Sequence, residues 1–281
     1  MNSQPALTPL LGLIDSPAAS TVEYVVGGQT LSTIDRETVA QLLADDAMMI
    51  ACGVSPVLGR WRARRDGGPA LTGAQHEAVK TYAGIAFGNP GNQKEDDHVQ
   101  GYAAELLWNR LMQERTLCRD GRQLMRAHPV KADPLEPGGD GLVIYTDING
   151  RMVFRLWEIK KHNSNSALSG TINRASKQLL NRGHEYLAKM AGPETLDGTS
   201  GLADLYADMV ELWFDRSDRA GVGVSVGTSN QHAPNQSRTF GSIHTQFPAF
   251  VEPSQREGIV VALPDFAGFA ERVKEIVWSG L

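Results

Sequence analysis

Asp140-Gly-Leu-Val-Ile-Tyr-Thr-Asp-Ile-Asn-Gly-Arg-Met-Val-Phe-Arg-Leu-Trp-Glu158-Ile159-Lys160 is the stretch on which the reading of this chain turns. It reads as a β-hairpin. The first arm runs from Leu142 to Tyr145 and the second from Met152 to Lys160. Asp147-Ile148-Asn149-Gly150 forms the turn, because Asn-Gly is a strong hairpin signal in which both residues tolerate positive φ. Side chains alternate faces along a strand, so Glu158 and Lys160 point the same way and share that face with Phe154 and Leu156. A strand that is apolar on both faces and then sets a carboxylate beside an amine is unusual. Charged groups are rarely buried unless they are paired or bound to a metal. Spacing alone also admits a plain Glu158–Lys160 ion pair, with Asp140 in an ordinary turn.

An acid at the start of a hairpin, followed by Glu-x-Lys at the end of its second arm, resembles the PD-(D/E)xK nuclease superfamily. The matching residues are Asp140 in Gly138-Gly139-Asp140-Gly141 and then Glu158-Ile159-Lys160. Glu105, in Gly101-Tyr102-Ala103-Ala104-Glu105, fits the acid that this family draws from a preceding helix. Ala175-Ser176-Lys177-Gln178 fits its polar helix after the motif strand. The chain departs from the family name at Gly139, where the name has Pro. The resemblance covers roughly residues 98–190. It implies an α/β fold with a mixed central β-sheet flanked by helices and a restriction-endonuclease-like core. It also implies a bound Mg²⁺ or Mn²⁺ and phosphodiester hydrolysis in DNA. By the same resemblance Asp140, Glu158 and the Ile159 carbonyl are direct metal ligands, and Glu105 binds directly or through water. Lys160 orients the attacking water. Lys161, Arg174, Lys177, Gln178 and Arg182 are the expected nucleic-acid contacts. The layout is similar to nuclease subunits of bacterial anti-phage systems such as Hachiman, which implies a partner helicase.

The chain as a whole is compatible with that reading. Its 281 residues suffice for one α/β domain with accessory parts, and 41% apolar and 21% charged residues are ordinary for a globular protein. The expected division is an N-terminal helix-and-strand region over 1–95 and a nuclease-like core with a strand–helix extension over 96–281. No apolar run approaches the roughly 20 residues that span a bilayer, and the start lacks the basic segment of a secretory signal. Cys52 and Cys118 are the only cysteines, too few for a disulfide scaffold or a structural zinc site. These features place the protein in the cytoplasm. Net charge is −5, but residues 151–190 carry eight basic side chains against two acids. The positive charge therefore lies on the segment that bears the motif, either as a phosphate-binding surface or as a solvated helix face.

Taken in order, residues 1–20 are Pro/Ser/Ala-rich and are expected to be poorly ordered at the start. Thr21–Val26 reads as a strand. Residues 35–51 read as a helix capped by Ser32 or Thr33, and residues 72–86 as another. Arg60-Trp61-Arg62-Ala63-Arg64-Arg65 is a basic cluster that reads first as a surface loop. Glu95-Asp96-Asp97-His98 precedes a helix over 99–115, where acids favour the positive end of the dipole. Glu136 is a reserve acid in the loop that feeds Asp140. An amphipathic helix is expected over 171–190 with Ile172, Ala175, Leu179, Tyr186 and Met190 facing inward. A linker (192–201), a helix (202–213), strands at 221–227 and 258–263 and a final helix from Pro264 follow. His232 and His244 in the polar 228–248 segment lack the partners of a zinc set. No P-loop is present. A non-catalytic nucleic-acid-binding or assembly subunit is the alternative function, and a two-carboxylate glycosidase finds no support in the hairpin or the lysine.

Overall fold

The expected hairpin forms the middle of a larger sheet. The computed structural model describes residues 6–136, 139–196, 201–234 and 236–281. Pro137 and Gly138 of the loop before Asp140, and residues 197–200 of the expected linker, lie outside the described residues. The hairpin arms are β6 (Gly141–Thr146) and β7 (Met152–His162), paired antiparallel with Leu142 opposite Leu156 and Tyr145 opposite Val153. The turn differs from expectation. Gly150 alone takes positive φ, at 78°, while Asn149 stays in the ordinary region. Asp147 does the organising instead: its carboxylate accepts the Asn149 and Arg151 N–H groups, each at 2.9 Å.

Seven strands make a mixed sheet in the order β1-β2-β9-β8-β7-β6-β5. The remaining members are β1 (Ile14–Asp15), β2 (Glu23–Gly27), β5 (Gln123–Ala127), β8 (Val222–Ser229) and β9 (Arg256–Leu263); a separate pair, β3 (Gly88–Asn89) and β4 (Asn92–Gln93), lies outside it. Strands β2, β9, β8 and β7 run parallel, and β5, β6 and β1 are antiparallel to their neighbours. Parallel strands are covered on both faces, and both faces here are apolar. On one side Trp157 and Ile159 join α1 (Leu7–Leu11), α2 (Thr33–Cys52), α3 (Pro56–Arg65), α4 (Gly73–Phe87), α5 (Asp96–Glu114) and α9 (Phe266–Ser279). On the other, Phe154, Leu156, Val222, Val224 and Val226 meet α6 (Leu168–Glu194), α7 (Gly201–Phe214) and α8 (Gly241–Gln246). The chain is therefore α/β with a mixed sheet between helical layers. Strands from residues 14–27 belong to the same sheet as those from 123–263, so the expected boundary at residue 95 does not interrupt it.

Several local readings change. Residues 7–11 are helical, with Leu7 and Leu11 buried, where a poorly ordered start was expected. The basic cluster lies on α3, not in a loop. Asp45 receives Arg62 and Arg65, and the Gly68 carbonyl receives Arg64 at 3.2 Å, so most of its charge is spent inside the protein. Ser32 is the cap of α2, accepting the Asp35 N–H at 3.1 Å. Among the described residues no helix is long and apolar enough to cross a membrane.

One buried carboxylate ties the sheet together away from the motif. Glu257 of β9 is 1% exposed and meets Arg115 at 2.9 Å, Arg122 at 3.0 Å and Arg155 at 3.7 Å. Burial alone would raise its pKa, but Arg122, Arg115 and Arg155 outweigh that and hold it below the ordinary value of 4.5. A carboxylate so held contributes stability that is present above its unfolded pKa and is lost as pH falls. Glu257→Gln leaves buried arginines without their counter-charge, so we expect it to cost about 3–5 kcal/mol near neutral pH. Urea denaturation of both proteins checks this, and the gap between them should narrow in acid.

Candidate functional site

Glu158 is the centre of the site. It lies on β7 between β6 and β8, on the face that carries Phe154 and Leu156 toward α6, and it is fully buried. Lys160, two residues on and on the same face, bonds its ammonium to Glu158 Oε1 and lies 4.0 Å from Asp140 Oδ2. Asp140 immediately precedes β6 and reaches across the hairpin, where its Oδ2 accepts the Ile159 N–H at 2.7 Å. Asp140, Glu158, Ile159 and Lys160 are thus brought together by the strand register.

Two glycines fix where Asp140 stands. A side chain at Gly141 would put a Cβ 2.1 Å from the Trp108 ring of α5. One at Gly139 would meet Tyr186 Cβ at 2.9 Å and Met190 Sδ at 3.1 Å on α6. Asp140 is therefore clamped between helices from opposite sides of the sheet. The same closeness leaves no room for a proline ring at position 139, which would collide with Tyr186.

Glu105 comes from α5, among the buried side chains Tyr102, Leu106 and Trp108. Burial raises its pKa first, then the Asp140 charge, against the lowering effects of Lys160 and Lys131, to about 8. Glu158 reaches about 8 for the same leading reasons, burial and then Asp140. Asp140 is also raised, by burial, although Lys160 and the Ile159 N–H oppose it. Lys160 is raised: the neighbouring Glu158 and Asp140 outweigh its own burial. Asp140 and Glu158 thus share the Lys160 ammonium in a desolvated space, within hydrogen-bonding reach of each other, and the charges of all three act on Glu105.

The donor set suits a hard divalent cation. Among the described residues no N–H or hydroxyl donates to the buried Glu158 Oε2, a costly state for a carboxylate oxygen whose neighbour is another acid. Asp140 stands beside it, and every candidate donor is oxygen, as Mg²⁺ prefers. A cation there would relieve both the orphaned oxygen and the repulsion between carboxylates. Among the described residues no three His, Cys, Asp or Glu side chains are already gathered in metal-binding geometry, so such a site would have to close around its ion.

The expected nucleic-acid contacts divide. Lys177 is exposed on α6. Arg174 donates to Thr171 Oγ1 at 2.8 Å. Arg182 pairs with Glu185 at 3.2 Å and lies 5.2 Å over the Tyr186 ring. Gln178 donates to Tyr186 Oη at 2.9 Å and braces the helix face beside the site. Lys161 points to the other side of β7 and is paired with Asp97, one of the acids read as a dipole cap. Glu136, the reserve acid, is exposed, and its carbonyl takes the Lys131 ammonium at 3.0 Å. Sequence reasoning missed Lys131, whose charge acts on both Glu105 and Asp140, and Tyr186, which was read only as a packing residue. Nothing in the local sequence marks Lys131, because its approach depends on the path of the loop. No family model matches the chain, and no curated protein matches it.

Raised carboxyl pKa values have a definite sign for stability. Between the ordinary 4.5 and about 8 the folded protein holds protons that the unfolded chain releases. Stability is therefore greatest in mild acid and falls as pH rises through that window. Thermal unfolding without divalent ions should show Tm declining from pH 5 to 8, and Glu158→Gln should flatten that decline. A Tm that rises over the same window would contradict the crowded-carboxylate arrangement.

Proposed function

We propose that the protein is a metal-dependent nuclease that hydrolyses phosphodiester bonds in DNA, built on a restriction-endonuclease-like core. The observation that carries this reading is the convergence of Asp140, Glu158 and Lys160 on one end of the β6–β7 hairpin, with Glu105 supplied by α5 and one Glu158 oxygen left without a donor among the described residues. The order of helix α5 with Glu105, the β6–β7 hairpin with Asp140 and Glu158-Ile159-Lys160, and the basic helix α6 supports this reading.

In hydrolysis a water oxygen bonds to phosphorus, the water gives up a proton, the P–O3′ bond breaks and the leaving oxygen takes up a proton. A divalent cation, when bound, neutralises phosphoryl charge and lowers the pKa of water. Asp140, Glu158 and the Ile159 carbonyl would hold it, with Glu105 directly or through water. The Ile159 N–H fixes the Asp140 carboxylate, which limits what must reorganise. Lys160 holds a permanent positive charge at the same spot. Once it leaves Glu158 Oε1 it can orient the attacking water and stabilise developing negative charge. The exposed bases of α6, Arg174, Lys177 and Arg182, would face the DNA backbone. The acidic flanks on either side of residues 151–190 suit delivery of DNA by a partner protein such as the helicase of a Hachiman-type anti-phage system.

A second reading, a binding or assembly subunit without catalysis, has one observation in its favour: the Lys160 ammonium already occupies Glu158 Oε1. The two readings separate in a cleavage assay on linear and supercoiled DNA with Mg²⁺, Mn²⁺ or EDTA. The nuclease reading expects cutting with either metal, none in EDTA, and a loss of at least about 100-fold in Glu158→Ala and Lys160→Ala with circular dichroism unchanged. Cutting that survives both substitutions would remove these residues from the mechanism. Absence of cutting with wild-type DNA affinity would favour the binding reading. Mg²⁺ should also raise Tm at pH 8 in the wild type and not in Asp140→Asn, because an ion that binds only the folded protein stabilises it.

A further inference from the structure

Between β5 and the loop that delivers Asp140, residues 130–136 make an anchored turn. Val130 is buried at its start. Asp133 holds its middle: the Oδ1 atom accepts the Lys94 ammonium at 2.5 Å and the Leu135 N–H at 2.9 Å, and the carbonyl accepts the Glu136 N–H at 3.1 Å. Lys94 is itself fixed to α4, donating to the Ile85 carbonyl at 2.6 Å. These bonds secure the turn without Lys131. Lys131 adds one more, donating to the Glu136 carbonyl at 3.0 Å.

That bond is a weak use of an ammonium. Lys131 is half-buried and has no ion pair among the described residues, although the same turn carries the Glu136 carboxylate. Its charge acts instead on Glu105 and Asp140. A hydrogen bond to a neutral carbonyl is readily exchanged for one to an anion, because charge-assisted bonds are the stronger kind. Charge balance points the same way. Glu105, Asp140 and Glu158, once ionised, are balanced by Lys160 and a single divalent cation. Lys131 adds a positive charge that this balance does not use, and each phosphodiester of DNA brings one negative charge to meet it.

Building on the nuclease reading, we propose that Lys131 is a second lysine of the site, whose ammonium leaves the Glu136 carbonyl and binds a non-bridging oxygen of the phosphate being cut. Lys160 then serves the attacking water, and Lys131 holds the group under attack. A lysine acts as a point charge on a flexible stem, so this contact grips phosphate without reading base sequence.

The test uses the full chain with Mn²⁺ and two substrates. One is linear DNA. The other is the p-nitrophenyl ester of thymidine 5′-monophosphate, which has a single phosphodiester. Wild type is compared with Lys131→Ala, Lys131→Gln, Lys131→Arg and the charge-matched control Arg60→Ala on α3. The contact expects kcat/KM to fall roughly tenfold in Lys131→Ala on both substrates. It expects an equal fall in Lys131→Gln, partial recovery in Lys131→Arg and no change in Arg60→Ala. The Lys94–Asp133 anchor remains in every variant, so Tm should be unchanged. Lys131→Gln keeps a donor for the Glu136 carbonyl but no charge. Near-normal activity in that variant would reduce Lys131 to a brace of the turn and overturns the proposal. A fall on DNA with normal ester hydrolysis overturns it in favour of a neighbouring phosphate. A deficit that vanishes at about pH 9 also overturns it, because Lys131 would then act only by easing ionisation of the acids. If no form of the protein cuts either substrate, anisotropy of labelled DNA decides. A salt slope lower by about one in Lys131→Ala keeps the phosphate contact and removes the nuclease reading, and an unchanged slope removes the contact.

Discussion

Burial of the Glu158 carboxylate is the constraint around which this molecule is arranged. A carboxylate on a central strand cannot reach water, so its surroundings must supply partners. Lys160 supplies one, and Asp140 presses on it from across the hairpin. The remaining oxygen has no donor among the described residues. Elsewhere the same protein shows how it satisfies a buried acid when it only needs stability: Glu257 sits within reach of three arginines. The contrast between these two glutamates on neighbouring parts of one sheet is informative. One acid is over-supplied with cations, and the other is left short of them among further acids.

Packing explains how the short-supplied acid is tolerated. Trp108 from one helical layer and Tyr186 from the other close on the two glycines that flank Asp140. The loop before β6 therefore has little freedom, and the Ile159 N–H takes one Asp140 oxygen at 2.7 Å. The apolar clusters on both faces of the sheet hold this geometry. Their burial can offset the few kcal/mol that unpaired charge costs in a protein interior. Destabilised, tightly placed carboxyls of this kind are what a cation-dependent site needs before its ion arrives.

Electrostatics extends the same logic outward. The basic residues of 151–190 are not one uniform patch. Lys161 is neutralised by Asp97 and Arg182 is partly engaged by Glu185, while Lys177 is exposed and has no ion pair among the described residues. The strand that carries Glu158 and Lys160 ends in the buried His162, whose Nδ1 meets Thr171 Oγ1 of α6 at 2.9 Å.

Much of this was legible in the sequence because it rests on local periodicity. The alternation along residues 152–160 placed Glu158 and Lys160 on one face, the inward stripe of Tyr102, Leu106 and Met112 located Glu105's helix, and the apolar face of 171–190 located α6. Local chemistry was less reliable where a side chain outside the window decided the outcome. Asp147 changed the hairpin turn, Asp45 drew the arginines of α3 inward, and Leu7 and Leu11 found a core that ordered the start of the chain. Only the tertiary structure could decide the state of the site itself. A carboxyl's proton affinity depends on how much water and which charges surround it, and those are set by α5, α6 and the loop before β6 closing from distant parts of the chain. The sequence by itself determined which residues face one another along the strands. Long-range packing decided that Asp140 is pinned by Trp108 and Tyr186 and that the Lys131 charge acts on Glu105 and Asp140, because neither arrangement has a period that a sequence window can display.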